Sequence, residues 1–224
     1  AHGGDLYEER NSLGKILFRN FQIKNLDYVF PVSDGGTAYL QKKYSSYSQN
    51  IKTLFLGSLS HACLNPFSSK NNFVLVSCAK VRDIKRIYKI AEMLQFINFK
   101  LTWYHLGDEN LEAHNDPTIS LYKENLFKLK ANTNVEFFAL GLLDNKAIID
   151  FYKTQPINLF ISLSEAEGIP VSMMEAISFG IPVLSTDVGG CKEIVTDETG
   201  ILIPLETPMD DVASIIQEFK DSPK

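Results

Sequence analysis

The stretch NLFISLSEAEGIPVSMMEAISFGIPVLSTDVGG, Asn158 to Gly190, decides how the rest of the chain reads. Asn158 to Ser164 is a mostly apolar run, too short for a helix and bounded by polar residues, which predicts a buried strand. Ser164 to Gly168 is a turn of small and acidic residues. Pro170 suits the first position of a helix, where its missing N–H has no partner to lose, and Gly180 stands where a left-handed residue would close that helix. Pro182 opens a second short apolar strand that ends in Thr186-Asp187-Val188-Gly189-Gly190. The unit is βαβ, with its loops gathered at the carboxyl ends of the strands, where open α/β sheets bind ligands.

Two glutamates stand out in this unit. Glu167 lies in the loop, and Glu175 follows Met173 and Met174 on an otherwise apolar helix. A charge on a buried helix needs a partner. Gly168 lets backbone come close to a ligand, and the helix start offers N–H groups and a positive dipole end to an anion. A carboxylate for hydroxyls beside amides for phosphate suits a sugar nucleotide. The competing reading is that Glu175 caps the helix or pairs with a core lysine.

Outward from this unit, strands and helices alternate. Strands are expected at Phe73–Cys78, Lys100–Leu106, Val135–Leu140 and Gly200–Pro204, and helices at Ile84–Phe96, Thr118–Lys130, Asn145–Tyr152, Gly189–Val195 and Met209–Lys220. The fold class is therefore α/β, a Rossmann-like doubly wound parallel sheet with helices on both faces. Before it, Tyr28–Val32 and Ile51–Leu56 read as two further short strands, Ser33 as the cap of a helix through Tyr44, and Asn65–Asn72 as a polar linker. The loop after the first long strand carries Lys80, Arg82 and Lys85; basic residues at a strand's carboxyl end suit a diphosphate. A solvated basic turn is the plainer alternative.

EGIPVSMMEA, with its glutamates spaced E-x7-E, followed by GIPVLSTDVGG and Glu193-Ile194-Val195, resembles the donor-site signature of retaining glycosyltransferases of family 4, which have the GT-B fold. FVLVSCAKVRDIKR, YHLGDE and FFALGLLDNKAIIDFY are similar to the strands and loops of that family's C-terminal domain, and AHGGDLYEER to a segment of its N-terminal domain. The resemblance implies two domains: residues 1–57 as the remnant of an N-terminal, acceptor-side Rossmann-like domain, and 58–224 as the donor-binding one. It makes the chain an excised piece, inactive by itself for want of its acceptor half.

The resemblance also assigns roles. Glu167 would contact hydroxyls of the donor sugar, and the Gly168-Ile169-Pro170 backbone would meet sugar or phosphate oxygens. Glu175 would accept from the ribose hydroxyls. Lys80 stands where the family has an arginine for the diphosphate, and Lys85 matches its lysine; Arg82 is the alternative to Lys80, because lysine lacks the bidentate fork. Phe138 to Leu142, with Gly141 and Leu142 at its end, is where the base would lie. His2 matches a cleft histidine near the donor sugar. The implied reaction is transfer of a glycosyl group from a nucleotide-diphosphate sugar, such as a UDP-sugar or GDP-sugar, to a glycan or lipid-linked acceptor with retention of configuration, in surface polysaccharide or glycan synthesis. No cofactor and no metal are expected, the leaving diphosphate being neutralised by lysines and a helix dipole.

Other classes fit less well. A paired-carboxylate glycosidase has no need of phosphate-binding features, and a sugar-nucleotide epimerase would show further acids and histidines. A dinucleotide dehydrogenase would carry G-x-G-x-x-G after its first strand. A noncatalytic nucleotide-binding domain keeping the E-x7-E stays open. Net charge is −5 over 224 residues, which argues against nucleic-acid binding. No apolar run reaches the roughly 18 residues of a spanning helix, and the first residues show no secretory pattern. Three scattered cysteines suggest a reducing compartment. The expectation is cytoplasmic, with any peripheral membrane contact made through the rest of the N-terminal domain. His105 reads as a residue at the edge of the core.

Overall fold

The computed structural model describes residues 6–8, 13–67, 72–109, 111–112 and 116–221. Its centre is a six-stranded parallel sheet in the order β3-β2-β1-β4-β5-β6. The strands are β1 (Phe73–Cys78), β2 (Leu101–Leu106), β3 (Val135–Ala139), β4 (Leu159–Ser162), β5 (Val183–Thr186) and β6 (Gly200–Ile203). The helices are α1 (Arg19–Asn25), α2 (Asp34–Lys43), α3 (Ile87–Met93), α4 (Pro117–Leu129), α5 (Asn145–Thr154), α6 (Val171–Ser178) and α7 (Met209–Asp221). The doubly wound α/β architecture expected from the alternation is present.

Alternating residues of the same strands feed two cores. Leu75 of β1, Leu159 and Ile161 of β4 and Leu184 of β5 face α3, α4 and α7, where they meet Ile90, Tyr122 and Ile216. Val74 and Val76, Phe160 and Val183 face the other way, onto Ile149 and Tyr152 of α5 and Met173 and Ala176 of α6. Strands buried on both faces read as continuous apolar runs rather than alternating ones. Each such side chain taken from water contributes about 1.5–3 kcal/mol. Truncating a fully buried one such as Leu75 therefore threatens the whole sheet.

The N-terminal segment is smaller. Leu6, Leu40 and Ile51 form its core, with Tyr7, Val29, Tyr39 and Tyr44 packed around them. The strands expected at Tyr28–Val32 and Ile51–Leu56 reduce to a single parallel bridge, Val29 to Ile51. Among the described residues neither run finds further strand neighbours, and an isolated pair cannot bury a face. Ser33 does cap α2, its hydroxyl accepting from the Gly36 amide at 3.1 Å. A second apolar cluster, Val32, Ile169 and Met174 with Leu56 and Ile194, joins this segment to the loop after β4.

Three other expectations change. The helix expected over Ile84–Phe96 is interrupted at Arg86, whose φ of +49° is left-handed; a 3-10 turn, Asp83–Lys85, precedes it, and α3 follows. Gly189–Val195 holds only a 3-10 turn, Cys191–Glu193. Asn65 is no linker residue. Its Nδ2 donates to the carbonyls of Tyr152 (2.6 Å) and Gln155 (2.8 Å), its Oδ1 accepts from Ile157 N (2.9 Å), and its own N–H reaches Phe179 O (2.8 Å). One buried amide thus ties the end of α5, the start of β4 and the end of α6.

Candidate functional site

A 3-2-1-4-5-6 order reverses direction between β1 and β4, and the crevice outside the carboxyl ends of those two strands is where such sheets take ligands. The loop leaving β1 carries Lys80 and Lys85; the loop leaving β4 carries Glu167 and Gly168. The structure closes them on one another. Lys85 Nζ lies 2.6 Å from Glu167 Oε1, and Glu165 N donates to Ile84 O at 2.9 Å. Glu167 is 9% exposed and Lys85 30%, so the carboxylate has little water and needs the ammonium beside it.

Backbone packing sets the shape of this edge. Gly189, with φ +56°, and Gly190 run against the β4 loop: Gly190 N donates to Gly168 O at 2.9 Å. A Cβ at 189 would lie 2.0 Å from Glu167 O, and one at 190 would lie 2.4 Å from Gly168 O. Glycine is required at both places. In the same way Gly107 passes over Ala79 and donates to Gly141 O at 2.8 Å. The loops after β1, β2, β3, β4 and β5 are stitched into one surface.

Pro170 is the N-cap of α6, with extended φ and ψ of −77° and 108°, one position earlier than the sequence reading places it. It has no N–H of its own. Met173 and Met174 N both turn back to Pro170 O at 3.2 Å, which leaves the amides of Val171 and Ser172 as the first-turn donors without an intrahelical carbonyl. These two positions escape sequence reading because a one-residue shift of the helix start changes which amides are free.

Glu175 projects from α6 half-buried and accepts from Asn145 Nδ2 at 2.7 Å. Its described partner is the first residue of α5, not a core lysine. Asn145 offers no signal in the sequence beyond a helix start after Asp144. Cys78, at the end of β1, has its thiol pushed up to about 11, chiefly by burial and further by Glu175. Burial likewise raises the adjoining Tyr152 hydroxyl well above its ordinary value. Both groups stay neutral, so neither supplies a nucleophile.

Lys80 is paired with Asp108 of the β2 loop at 2.7 Å. With Cys78, Gly107, Leu142, Leu143 and Ile148 these two line a mostly apolar pocket of about 340 Å³, directly beside Gly141. Leu142 is 83% exposed. Arg86 is committed elsewhere, donating to Leu205 O at 3.2 Å. Arg82 is exposed. His2 and His114 lie outside the described residues. His105 is not at the core's edge but fully buried, with Nδ1 2.9 Å from Ser77 Oγ; burial lowers its pKa to about 4. Among the described residues no three His, Cys, Asp or Glu side chains are grouped to hold a metal, and no helix is long and apolar enough to cross a membrane.

Comparison with known proteins gives this edge a context. The family model described as glycosyl transferases group 1 matches residues 120–224, which include β3 to α7 and both glutamates. The chain is similar to the GtfA subunit of a UDP-N-acetylglucosamine–peptide N-acetylglucosaminyltransferase from Streptococcus agalactiae, 27% identical over 86% of this chain and 38% of that one. It is also similar to the O-antigen biosynthesis glycosyltransferase WbnH of Escherichia coli, 35% identical over 39% of this chain and 23% of the relative. Among solved structures it superposes on the lipopolysaccharide outer core galactosyltransferase WaaB with a TM-score of 0.76, at 16% identity, covering 97% of this chain and 57% of WaaB. It superposes on Anabaena HepE in complex with UDP with a TM-score of 0.73, at 17% identity, covering 92% of this chain and 57% of HepE. The chain thus spans about two fifths or less of these curated relatives' length and rather more than half of the solved chains. The fold is that of GT-B glycosyltransferases. The residues that resemble glycosyl transferases group 1 thus include the E-x7-E stretch and the β4 loop whose carboxylate pairs with lysine at the sheet's switch point.

Proposed function

We propose that residues 58–224 bind a nucleotide-diphosphate sugar and that the protein transfers its glycosyl group, with retention of configuration, to an acceptor hydroxyl in glycan synthesis. The observation that carries this reading is the Lys85–Glu167 pair across the β1/β4 crevice, beside the free first-turn amides of α6. Lys80, Lys85, Glu167 and Glu175 each have a partner that a donor can replace. A diphosphate takes Lys85 from Glu167, and sugar hydroxyls then satisfy the carboxylate. Lys80, held near Asp108, stands on the other side of the same phosphates. The ribose hydroxyls meet Glu175, kept in place by Asn145, and the base enters the pocket between Gly107 and Leu142. HepE is described in complex with UDP and with UDP-glucose, which makes a uridine nucleotide the first donor to try.

On this reading the protein does electrostatic work at the leaving group. Bond cleavage at the anomeric carbon puts negative charge on the diphosphate; Lys85, Lys80 and the α6 amides meet it where it develops, with no reorganisation needed. Glu167, lying by the sugar, holds its hydroxyls and fixes the ring for attack on the face the diphosphate leaves. His2 belongs to the same proposal as a group near the sugar. Residues 1–57 are read as the part of an acceptor-side domain that lies next to the cleft, so acceptor choice rests with residues beyond the donor domain. A cytoplasmic setting, with peripheral membrane contact through that domain, completes the proposal.

Calorimetry of this chain with UDP, GDP and ADP, repeated on Glu175→Ala, tests it. One diphosphate is expected to bind, with affinity reduced roughly tenfold or more in the variant, the effect of removing a charged hydrogen-bond acceptor. Binding unaffected by Glu175→Ala puts the nucleotide elsewhere and refutes the site.

A further inference from the structure

Glu193 makes a contact that nothing in the donor site requires. It ends the 3-10 turn after β5, and its carboxylate reaches the other part of the molecule. Oε2 accepts from the Asp34 amide at 2.8 Å, and Oε1 from the Gly35 amide at 3.0 Å. Asp34 and Gly35 are the first two residues of α2, a ten-residue helix whose third amide, Gly36 N, is already capped by Ser33. The helix therefore takes a cap from within its own segment and a second, bidentate one from a residue 159 positions away. A carboxylate at a helix N-terminus is favoured by both hydrogen bonding and the dipole.

The other end of this contact leads into the donor loop. Glu193 N donates to Gly190 O at 3.0 Å, and Gly190 N donates to Gly168 O at 2.9 Å. The next residue, Ile194, packs with Val32, Ile169 and Met174. From α2 to Glu167 there is an unbroken run of hydrogen bonds and apolar contacts through the 190–194 turn.

We infer that Glu193 is a positioning residue: by capping α2 it fixes the 190–194 turn, and through that turn the Glu167–Gly168 loop, so that nucleotide affinity depends on how the N-terminal segment is seated. The inference rests on the donor-site reading for its consequence but not for its geometry. Amide exchange is therefore measured together with UDP affinity on the chain, for wild type, Glu193→Ala, Glu193→Gln and Asp34→Pro. Asp34→Pro deletes one of the two donors at a first helical position where proline is accepted; Asp34→Ala, which keeps the amide, accounts for the accompanying loss of the Thr53–Asp34 side-chain bond.

Glu193→Ala is expected to speed exchange at Asp34, Gly35 and the distant Gly190 amide, and to weaken UDP roughly two- to thirty-fold, the range for coupling through packed networks. Glu193→Gln, which keeps an acceptor, and Asp34→Pro, which keeps one bond, should fall between wild type and alanine. Faster exchange at Asp34 and Gly35 with Gly190 unchanged overturns the inference, since the cap would then be local. Wild-type chain that binds none of UDP, GDP and ADP refutes the donor reading, while the Gly190 amide still decides the coupling.

Discussion

Gly189→Ala asks whether the close approach of two backbones builds the site, because it removes no functional group. The residue sits at φ +56°, and a left-handed conformation costs an L residue about 1–2 kcal/mol. The added Cβ would lie 2.0 Å from Glu167 O and 2.9 Å from its carbonyl carbon. Carbon and oxygen tolerate about 3.3 Å, so the β4 loop must retreat by more than ~1 Å. Overpacking of that kind adds about 1–3 kcal/mol, giving ~2–5 kcal/mol in all and a melting temperature lower by roughly 4–20 °C for a domain of this size. Whatever strain the loop relieves by moving Glu167 appears as lost nucleotide affinity, tenfold for every ~1.4 kcal/mol. Gly14→Ala is the control: φ is +60°, but nothing lies within 4 Å of its Cβ, so only the conformational cost of ~1–2 kcal/mol remains. Calorimetric melting and UDP titration read both effects. A Gly189→Ala protein that melts like Gly14→Ala and binds UDP like wild type would refute the packing argument.

Two further outcomes follow from buried polar groups. His105 is held neutral by burial, with a pKa lowered to about 4 against an ordinary ~6.5. Its contribution is complete above pH 6.5, where folded and unfolded forms are both neutral, and is lost as pH falls from 6.5 to 4, because only the unfolded chain takes up the proton. Urea unfolding at pH 7.5 and pH 5 should show about 2 kcal/mol of this loss in wild type and not in His105→Gln; equal pH slopes would show that the ring titrates normally. Asn65→Ala strands the Ile157 amide and two carbonyls, and chemical unfolding should register about 2–4 kcal/mol. A loss below ~1 kcal/mol would mean that water replaces the side chain easily.

Much of the donor half is legible from local pattern. Apolar runs of strand length between amphipathic segments predict each strand of the sheet within a residue or two, and Gly180 closes α6 with φ +71° as a left-handed C′ residue does. The E-x7-E stretch falls in a loop and the helix after it, as the local pattern predicts, because its residues are neighbours in sequence. Boundaries were less secure: Pro170 precedes α6 instead of opening it, and the left-handed turn at Arg86 breaks an otherwise helical pattern that periodicity cannot distinguish from a continuous one.

The sequence by itself determined the α/β alternation, the parallel sheet and the loops that carry Lys80, Lys85, Glu167 and Glu175, since those follow from periodicities of two and 3.6 residues and from glycine and proline, all of which act locally. Only the tertiary structure decided that Lys85 meets Glu167, that Lys80 meets Asp108 and Glu175 meets Asn145, and that a polar Asn65 is a buried hub. It alone set Glu193 against α2. Those pairings join residues between 28 and 159 positions apart, and no local pattern encodes them: they exist because packing two cores on one sheet brings the strand ends, and the polar groups that must be satisfied there, to a common edge.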